Sequence, residues 1–289
     1  MFDKVEAFYR PANVREALRL LHTGKGQARV VAGGTDVVVE GDRSIRFLID
    51  ITHAGLSYIR PRGTACVIGA TTTMAELETS DVIQALAGGL LSRAARTCGS
   101  ALIRNLATLG GNMAHGSPAA DMATPLLVLD AAVVMADSNG RRKLPLAEYL
   151  EAAHTNRHAK SLLVEVVIPD PPRGKGCQWS FQKLGRTAVD ISLVNVSAGL
   201  QLDSRGRVKW ARIALGSVAP VPMRATGAEQ RMAGRILDQA LLAEIGAEVA
   251  REVHPISDAR ASAEYRREIC SVLTRRALEE CSAPAGCSL

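Results

Sequence analysis

No uncharged apolar run in this sequence approaches the ~18 residues that a bilayer-spanning helix needs. The longest candidate, PLLVLDAAVVMA at residues 125–136, is short and broken by Asp130. The opening segment, MFDKVEAFYRP, lacks the apolar stretch of a secretory signal, so the cytoplasm is the expected location. Cysteine pairs are missing too: Cys66, Cys98, Cys177, Cys270, Cys281 and Cys287 include no C-x-x-C. That argues against a metal cluster held within this chain and against a disulfide framework. There is no H-E-x-x-H, and His154 and His158, four apart, read better as a solvated helix end than as metal ligands. Two nucleotide motifs are absent as well. Without G-x-x-x-x-G-K-[ST] there is no phosphate-binding lysine loop, and without G-x-G-x-x-G between a strand and a helix there is no Rossmann fingerprint.

Charge does not point to nucleic acid. The formal net charge is +6, but the arginines are spread along the chain. The densest set (Arg260, Arg266, Arg267, Arg275, Arg276) alternates with Glu264, Glu268, Glu279 and Glu280, and is expected to be a solvated helix face carrying opposite-charge pairs. At 289 residues the chain is long enough for two or three domains, and 47% hydrophobic with 22% charged residues is ordinary for a globular protein.

The pattern along the chain predicts an α+β fold. A helix is signalled at 14–22, with Asn13 as N-cap, Glu16 in capping-box spacing, and Val14, Ala17, Leu18 and Leu21 on one face. FLIDI (47–51) and ACVIGA (65–70) read as strands, with the polar RPRG ahead of the second suiting a turn. Residues 80–98 read as one helix, closed by Gly99 and weakened by Gly88-Gly89. A hairpin turning at Asn139-Gly140 follows. The Pro- and Gly-rich VVIPDPPRGKG (166–176) is the best boundary. Beyond it, DISLVNVSAGLQLD and VKWARIALGSV make a hairpin joined by SRGR, and the chain from about Thr226 is mostly helical.

Two glycine bends interrupt this grammar. In ARVVAGGTDVVVE (28–40) a β-branched run enters and another leaves, so a strand is expected on both sides of Gly33-Gly34-Thr35-Asp36. In RNLATLGGNMAHGSPAADMATPLLVLDA (104–131), Gly110-Gly111-Asn112 reads as a turn open to a ligand, and Ser117-Pro118 as N-cap and N1 of a helix with Asp121 in its first turn. Such bends, with Thr35, Thr108 and Ser117 nearby and few lysines, suit a diphosphate held by main-chain amides.

The pair VVAGGTDVV and IRNLATLGGNMAHGSPAADMATPLLVLDA resembles the FAD-binding medium subunit of the molybdenum hydroxylases, the family of xanthine and carbon monoxide dehydrogenases. The likeness extends from YRPANVREALRLL through FQKLGRTAVDISLVNVSAGL to LGSVAPVPMRA and the C-terminal helices. It implies an FAD-binding fold shared with the vanillyl-alcohol oxidases, in two α/β subdomains (1–55 and 56–175), followed by a C-terminal α+β domain (176–289) of the carbon monoxide dehydrogenase flavoprotein type. The non-covalent FAD would lay its diphosphate against Val30, Val31, Ala32, Gly33, Gly34, Thr35, Asp36 and Val37. Thr108, Leu109, Gly110, Gly111 and Asn112 would form a second wall, Ser117 and Asp121 would lie near the ribityl and diphosphate, and Leu163 would touch the ring. The family lysine after Phe181 falls either at Gln182 or, as the basic residue here, at Lys183. With 3% aromatic residues, backbone and aliphatic groups rather than stacked rings should bracket the isoalloxazine.

The resemblance further implies an electron relay and no catalytic acid or base. Electrons from a large molybdenum-cofactor partner would cross [2Fe-2S] clusters of a small partner, reach FAD here, and leave for an acceptor such as NAD+. Substrates of the relay would be a purine such as xanthine, an aldehyde or an N-heteroaromatic. The alternatives are a stand-alone flavin oxidoreductase of the same cofactor fold, or an assembly subunit without FAD.

Overall fold

In a computed structural model, residues 4–24, 26–155, 158, 160–174 and 176–283 are described. Three sheets organise them. The first holds β1 (Ala7–Tyr9), β2 (Ala28–Val31) and β3 (Phe47–Asp50), all parallel, in the order β1-β3-β2. The second holds β4 (Ile59–Arg62), β5 (Ala65–Gly69), β6 (Ala132–Asp137), β7 (Gly140–Pro145) and β8 (Leu162–Ile168), antiparallel in the order β4-β5-β8-β6-β7. The third is an antiparallel sheet of β9 (Cys177–Leu184), β10 (Val194–Leu202), β11 (Val208–Gly216) and β12 (Met223–Arg224) in the order β12-β11-β10-β9.

These elements form two compact units that exchange segments. The first comprises Met1–Leu77, Ser100–Gly116 and Asp130–Asp170; the second comprises Glu78–Gly99, Ser117–Leu129 and Pro171–Leu289.

In the first unit, the helix Val14–Thr23 starts as its sequence predicts. Asn13 Oδ1 accepts from the Glu16 amide at 3.0 Å, and Glu16 returns a carboxylate oxygen to the Ala12 amide at 2.9 Å. Its Ala17 and Leu21 pack with Ile49, Ile51, Leu56, Leu162 and Val164 in one apolar cluster. RPRG behaves differently from expectation. Arg60, Pro61 and Arg62 belong to edge strand β4, where Pro61 is tolerated, and only Gly63, at φ +62°, turns the chain. The β6–β7 hairpin pairs Asp137 with Gly140, so its loop is Ser138-Asn139, one residue earlier than Asn139-Gly140. The helix Leu146–His154 ends before His158, whose ring stacks on Tyr149 at 5.0 Å instead of sharing a solvated face with His154.

In the second unit, strand β10 is covered on both faces. Val194, Val196, Ala198 and Leu200 alternate onto the cluster that includes Leu241, Ile245, Val249, Leu273 and Leu278 of the helices Gln239–Glu252 and Ala263–Ser282. The opposite face carries Asn195, Ser197 and Gly199, all buried. Here Thr124 Oγ1 donates to Asn195 Oδ1 at 2.7 Å, Asn195 Nδ2 donates to Ser192 Oγ at 2.8 Å, and Ser197 Oγ donates to Thr124 Oγ1 at 3.1 Å. Gly199 leaves room for the Trp179 ring, which an added Cβ would meet at 2.4 Å.

Two helical expectations change in this unit. Residues 80–98 form two helices, Asp81–Ala85 and Leu90–Arg96, because Ala87, Gly88 and Gly89 all take positive φ. Two adjacent glycines make that left-handed break accessible, so the helix is interrupted there instead of merely weakened. Arg266 is not solvated: it is 3% exposed and donates to Leu193 O at 2.7 Å and to Asp258 at 2.8 Å, so this arginine of the set holds the helix Ala263–Ser282 to its surroundings. Arg260 lies ahead of that helix and also pairs with Asp258, at 2.6 Å.

The polar cluster under β10 generates a prediction. Asn195→Ala removes the shared partner of buried Thr124 and Ser192, and should lower unfolding stability by about 1–3 kcal/mol. Chemical denaturation of the variant checks this.

Candidate functional site

The first glycine bend follows β2, the edge strand of its sheet. No strand resumes after it. Val37–Glu40 instead form a single helical turn, closed by Gly41 in the left-handed region at φ 58°, ψ 38°. Valines favour strands, but here the local geometry decides otherwise. Gly34 turns at φ +70°, the Val38 amide bonds to Gly34 O at 3.0 Å and the Glu40 amide to Asp36 O at 2.9 Å. Val38 and Val39 are left exposed, at 46% and 84%.

Gly33 and Gly34 do different work. A Cβ on Gly33 would stand 1.8 Å from Leu106 O and 3.0 Å from Ala107 N, so no side chain of any size fits. The bend is thus pressed against the chain that leads directly into Thr108–Asn112. A Cβ on Gly34 would meet only the tips of Val31 and Val38, at 3.6 and 3.7 Å, so position 34 is restricted by its positive φ instead. His115, which the sequence did not single out, adds a second tie: its Nδ1 lies 3.3 Å from Glu40 Oε1 and its Nε2 4.0 Å from Asp36 Oδ1.

Along the bend, the amide N–H groups of Ala32, Gly33, Gly34, Thr35, Asp36 and Val37 make no hydrogen bond to any acceptor among the described residues. Val30 to Thr35 and Val37 are half-buried and Asp36 is exposed. Consecutive unpaired amides at a side-chain-free bend form an anion-binding concavity. Such a donor set fits a diphosphate.

The second glycine segment is built differently from the open turn expected of it. Leu109–Ala114 is a short helix with Thr108 as N-cap. Its amides are already used: Leu109 donates to Thr72 O at 2.9 Å, Gly110 to Ala70 O at 2.8 Å, Gly111 to Thr108 Oγ1 at 3.1 Å and Asn112 to Thr108 O at 2.9 Å. Gly110 is required by packing, since its Cβ would lie 2.6 Å from both Ala70 Cβ and Ala70 O. Gly111 sits where a Cβ would crowd the capping Thr108 oxygen at 2.9 Å. Gly110 lets the chain approach Ala70 and Gly111 clears the Thr108 cap, and the amides of both are already paired within the chain. Leu163, also in this unit, lies in the central strand β8 and is 6% exposed.

Ser117, Asp121 and Lys183 belong to the second unit. Ser117 does not start a helix: its Oγ accepts from the Ala119 amide at 3.2 Å in a local turn, and the helix begins at Ala123. Ser and Pro favour such turns as readily as helix starts. Asp121 therefore precedes the helix, where it takes up Lys183. The Lys183 ammonium donates to Asp121 Oδ2 at 2.6 Å and to Thr97 O at 2.8 Å, and both side chains are nearly sealed from solvent, at 7% and 10%. Burial pushes the Asp121 carboxyl above its ordinary range, while Lys183 and the Cys98 thiol pull it down. Gln182, on the opposite face of β9, donates to Glu280 at 2.6 Å. Of the two candidates after Phe181, it is Lys183 that joins Asp121. Thr97 and Cys98 have no motif of their own, and only the fold brings them to this pair.

Comparison with known proteins accords with this architecture. Residues 2–171 match the family described as the FAD binding domain in molybdopterin dehydrogenase, and residues 179–281 match the CO dehydrogenase flavoprotein C-terminal domain. A putative xanthine dehydrogenase FAD-binding subunit of Escherichia coli is 32% identical, with 99% of each chain covered. The carbon monoxide dehydrogenase medium chain of Afipia carboxidovorans is also 32% identical, over 96% of this chain and 97% of that one. Among solved structures, carbon monoxide dehydrogenase from Hydrogenophaga pseudoflava superposes with a TM-score of 0.90 at 29% identity, covering 97% of this chain and 98% of that one. The chain belongs to the FAD-binding medium subunits of the molybdenum hydroxylases, and is an oxidoreductase flavoprotein of that kind.

Two outcomes follow from this geometry. Gly33→Ala should destabilise the protein by about 1–3 kcal/mol through overpacking against Leu106, whereas Gly34→Ala should cost about 1 kcal/mol, from backbone strain alone. Thermal unfolding of both variants tests the ordering. Lys183→Met should cost about 3–5 kcal/mol by stranding Asp121, and the double variant with Asp121→Asn should recover much of it. A double-mutant denaturation cycle measures that recovery.

Proposed function

We propose that this chain is the flavin station of an electron relay, holding FAD without a covalent link and joining iron–sulfur clusters of a small partner to an external acceptor. The observation that carries this reading is the run of unpaired amides from Ala32 to Val37 on a bend that no side chain can fill at Gly33. Bound there, FAD would supply the chemistry that couples one-electron donors to a two-electron acceptor such as NAD+. The chain's own residues bind and orient. Val30, Val31 and Ala32 lead the edge strand to the bend, Gly33 and Gly34 keep it bare, and the Thr35 hydroxyl and the amides of Asp36 and Val37 extend the donor set along the diphosphate. Thr108, Leu109, Gly110, Gly111 and Asn112 would stand beside it as a rigid wall, their internal bonds fixing its position. Leu163 would offer an aliphatic contact to the ring. Ser117, Asp121 and Lys183 are proposed as further cofactor contacts, with the lysine and aspartate pre-set by their mutual bond.

The division into 1–55, 56–175 and 176–289 belongs to the same proposal, and is supported by each of the three sheets falling within one segment. The expected assembly adds a large molybdenum-cofactor subunit, and its substrate would be a purine such as xanthine, an aldehyde or an N-heteroaromatic. The relatives' printed names span this range, including glyceraldehyde dehydrogenase, xanthine dehydrogenase and nicotinate dehydrogenase. The proposed setting is the cytoplasm; no helix among the described residues is long and apolar enough to cross a membrane.

The purified chain should show a flavin absorption spectrum, release free FAD on acid denaturation, and turn over little without its partners. A colourless preparation that takes up no added FAD contradicts the proposal. Co-purification of iron and molybdenum with the chain expressed beside its neighbouring reading frames supports the relay; a chain that oxidises substrates alone favours a stand-alone flavoenzyme.

A further inference from the structure

The first unit contains a second concavity, lined by none of the residues assigned above to the cofactor. A cleft of about 540 Å³ is lined by Val14, Arg15, Gly55, Tyr58, Arg60 and Arg141, among others. Part of its lining comes from the segments that follow parallel strands β1 and β3, Val14 and Arg15 after the first and Gly55 after the second. Crevices at the carboxyl ends of parallel strands are where open α/β sheets take ligands.

The electrostatics of the cleft are unbalanced. Arg15, Arg60 and Arg141 make no ion pair among the described residues, whereas Arg10 reaches Asp50 at 3.2 Å and Arg142 reaches Asp137 at 3.9 Å. One carboxylate stands close by: Glu165 accepts the hydroxyl of the cleft-lining Tyr58 at 2.6 Å, which sets one negative charge against three guanidinium groups. Arg60 is held over the Tyr58 ring, with its guanidinium carbon 4.3 Å from the centroid, which fixes its direction without neutralising it. The amides of Val14 and Arg15, at the start of their helix, have no acceptor among the described residues. A Cβ on Gly55, which is exposed, would meet nothing within 4 Å, so nothing in the chain covers this part of the lining.

Like charges gathered on one concave wall repel one another until an anion joins them. Planar guanidinium groups beside free amides suit phosphate oxygens in particular. The volume is that of a small-molecule site and not of an extended polymer track. We propose that this cleft binds a phosphate-bearing small molecule of about the size of a nucleoside diphosphate, at a site separate from the FAD cradle.

The test is calorimetric titration of the full FAD-loaded chain, at low ionic strength, with ADP, inorganic pyrophosphate and adenosine. ADP or pyrophosphate should bind at one site with an affinity that weakens as salt rises, and adenosine should not bind. Tighter ADP than pyrophosphate identifies a nucleotide as the ligand source; equal or tighter pyrophosphate identifies the free anion. The triple variant Arg15→Gln, Arg60→Gln, Arg141→Gln should lose at least tenfold in affinity at unchanged flavin content, and Arg142→Gln should behave as the parent. The proposal is overturned if neither anion binds, if the triple variant binds as well as the parent, if Arg142→Gln weakens binding equally, or if ADP binds only by displacing FAD. Flavin content is read separately from the heat of binding, so failure here leaves the cofactor assignment intact.

Discussion

The contact on which the first unit depends is one between main chains. Gly33 lies so close to Leu106 that the bend after β2 and the segment leading to Thr108 share a surface with no side chain between them. Gly110 repeats the device one step further on, against Ala70. Close-packed interiors tolerate few such approaches unless one residue lacks a Cβ. The consequence reaches function through geometry. With Gly33 fixed against Leu106, the amides from Ala32 to Val37 have no acceptor among the described residues.

The two glycine pairs look alike in the sequence and act differently in the fold. At Gly33-Gly34 the bend keeps its donors available. At Gly110-Gly111 every amide from Leu109 to Asn112 has a partner within the chain, and glycine serves the approach of Ala70 and the Thr108 cap. One element presents donors and the other braces it. Lys183 and Asp121 make a comparable arrangement in the second unit, where a buried ion pair with a carbonyl ligand at Thr97 holds two side chains in one orientation.

Much of this was legible in the sequence where the signal is local. The Asn13–Glu16 capping box, the FLIDI and ACVIGA strands and the SRGR hairpin depend on neighbours a few residues away, and they appear as read. What the sequence concealed depends on distant partners. The valines after Asp36 read as a strand, but Gly34 and Gly41 close them into one helical turn, and no periodicity could show that. Ser117-Pro118 carries the chemistry of a helix start and also of a turn, and the fold uses the turn. Arg266 sits among charges that imply solvent, yet carbonyls from Leu193 and Ser217 draw it inside. The family was legible because its two glycine segments are distinctive; the division of labour between them was not.

Hydrogen–deuterium exchange of the full chain with and without added FAD tests the central claim most directly, because it reads the amides themselves. The account predicts that Ala32 to Val37 exchange fast in the apo chain and become protected on FAD binding, while Leu109 to Asn112 exchange slowly in both states. Unchanged exchange at Ala32 to Val37 with FAD bound, or protection gained only at Leu109 to Asn112, would contradict it.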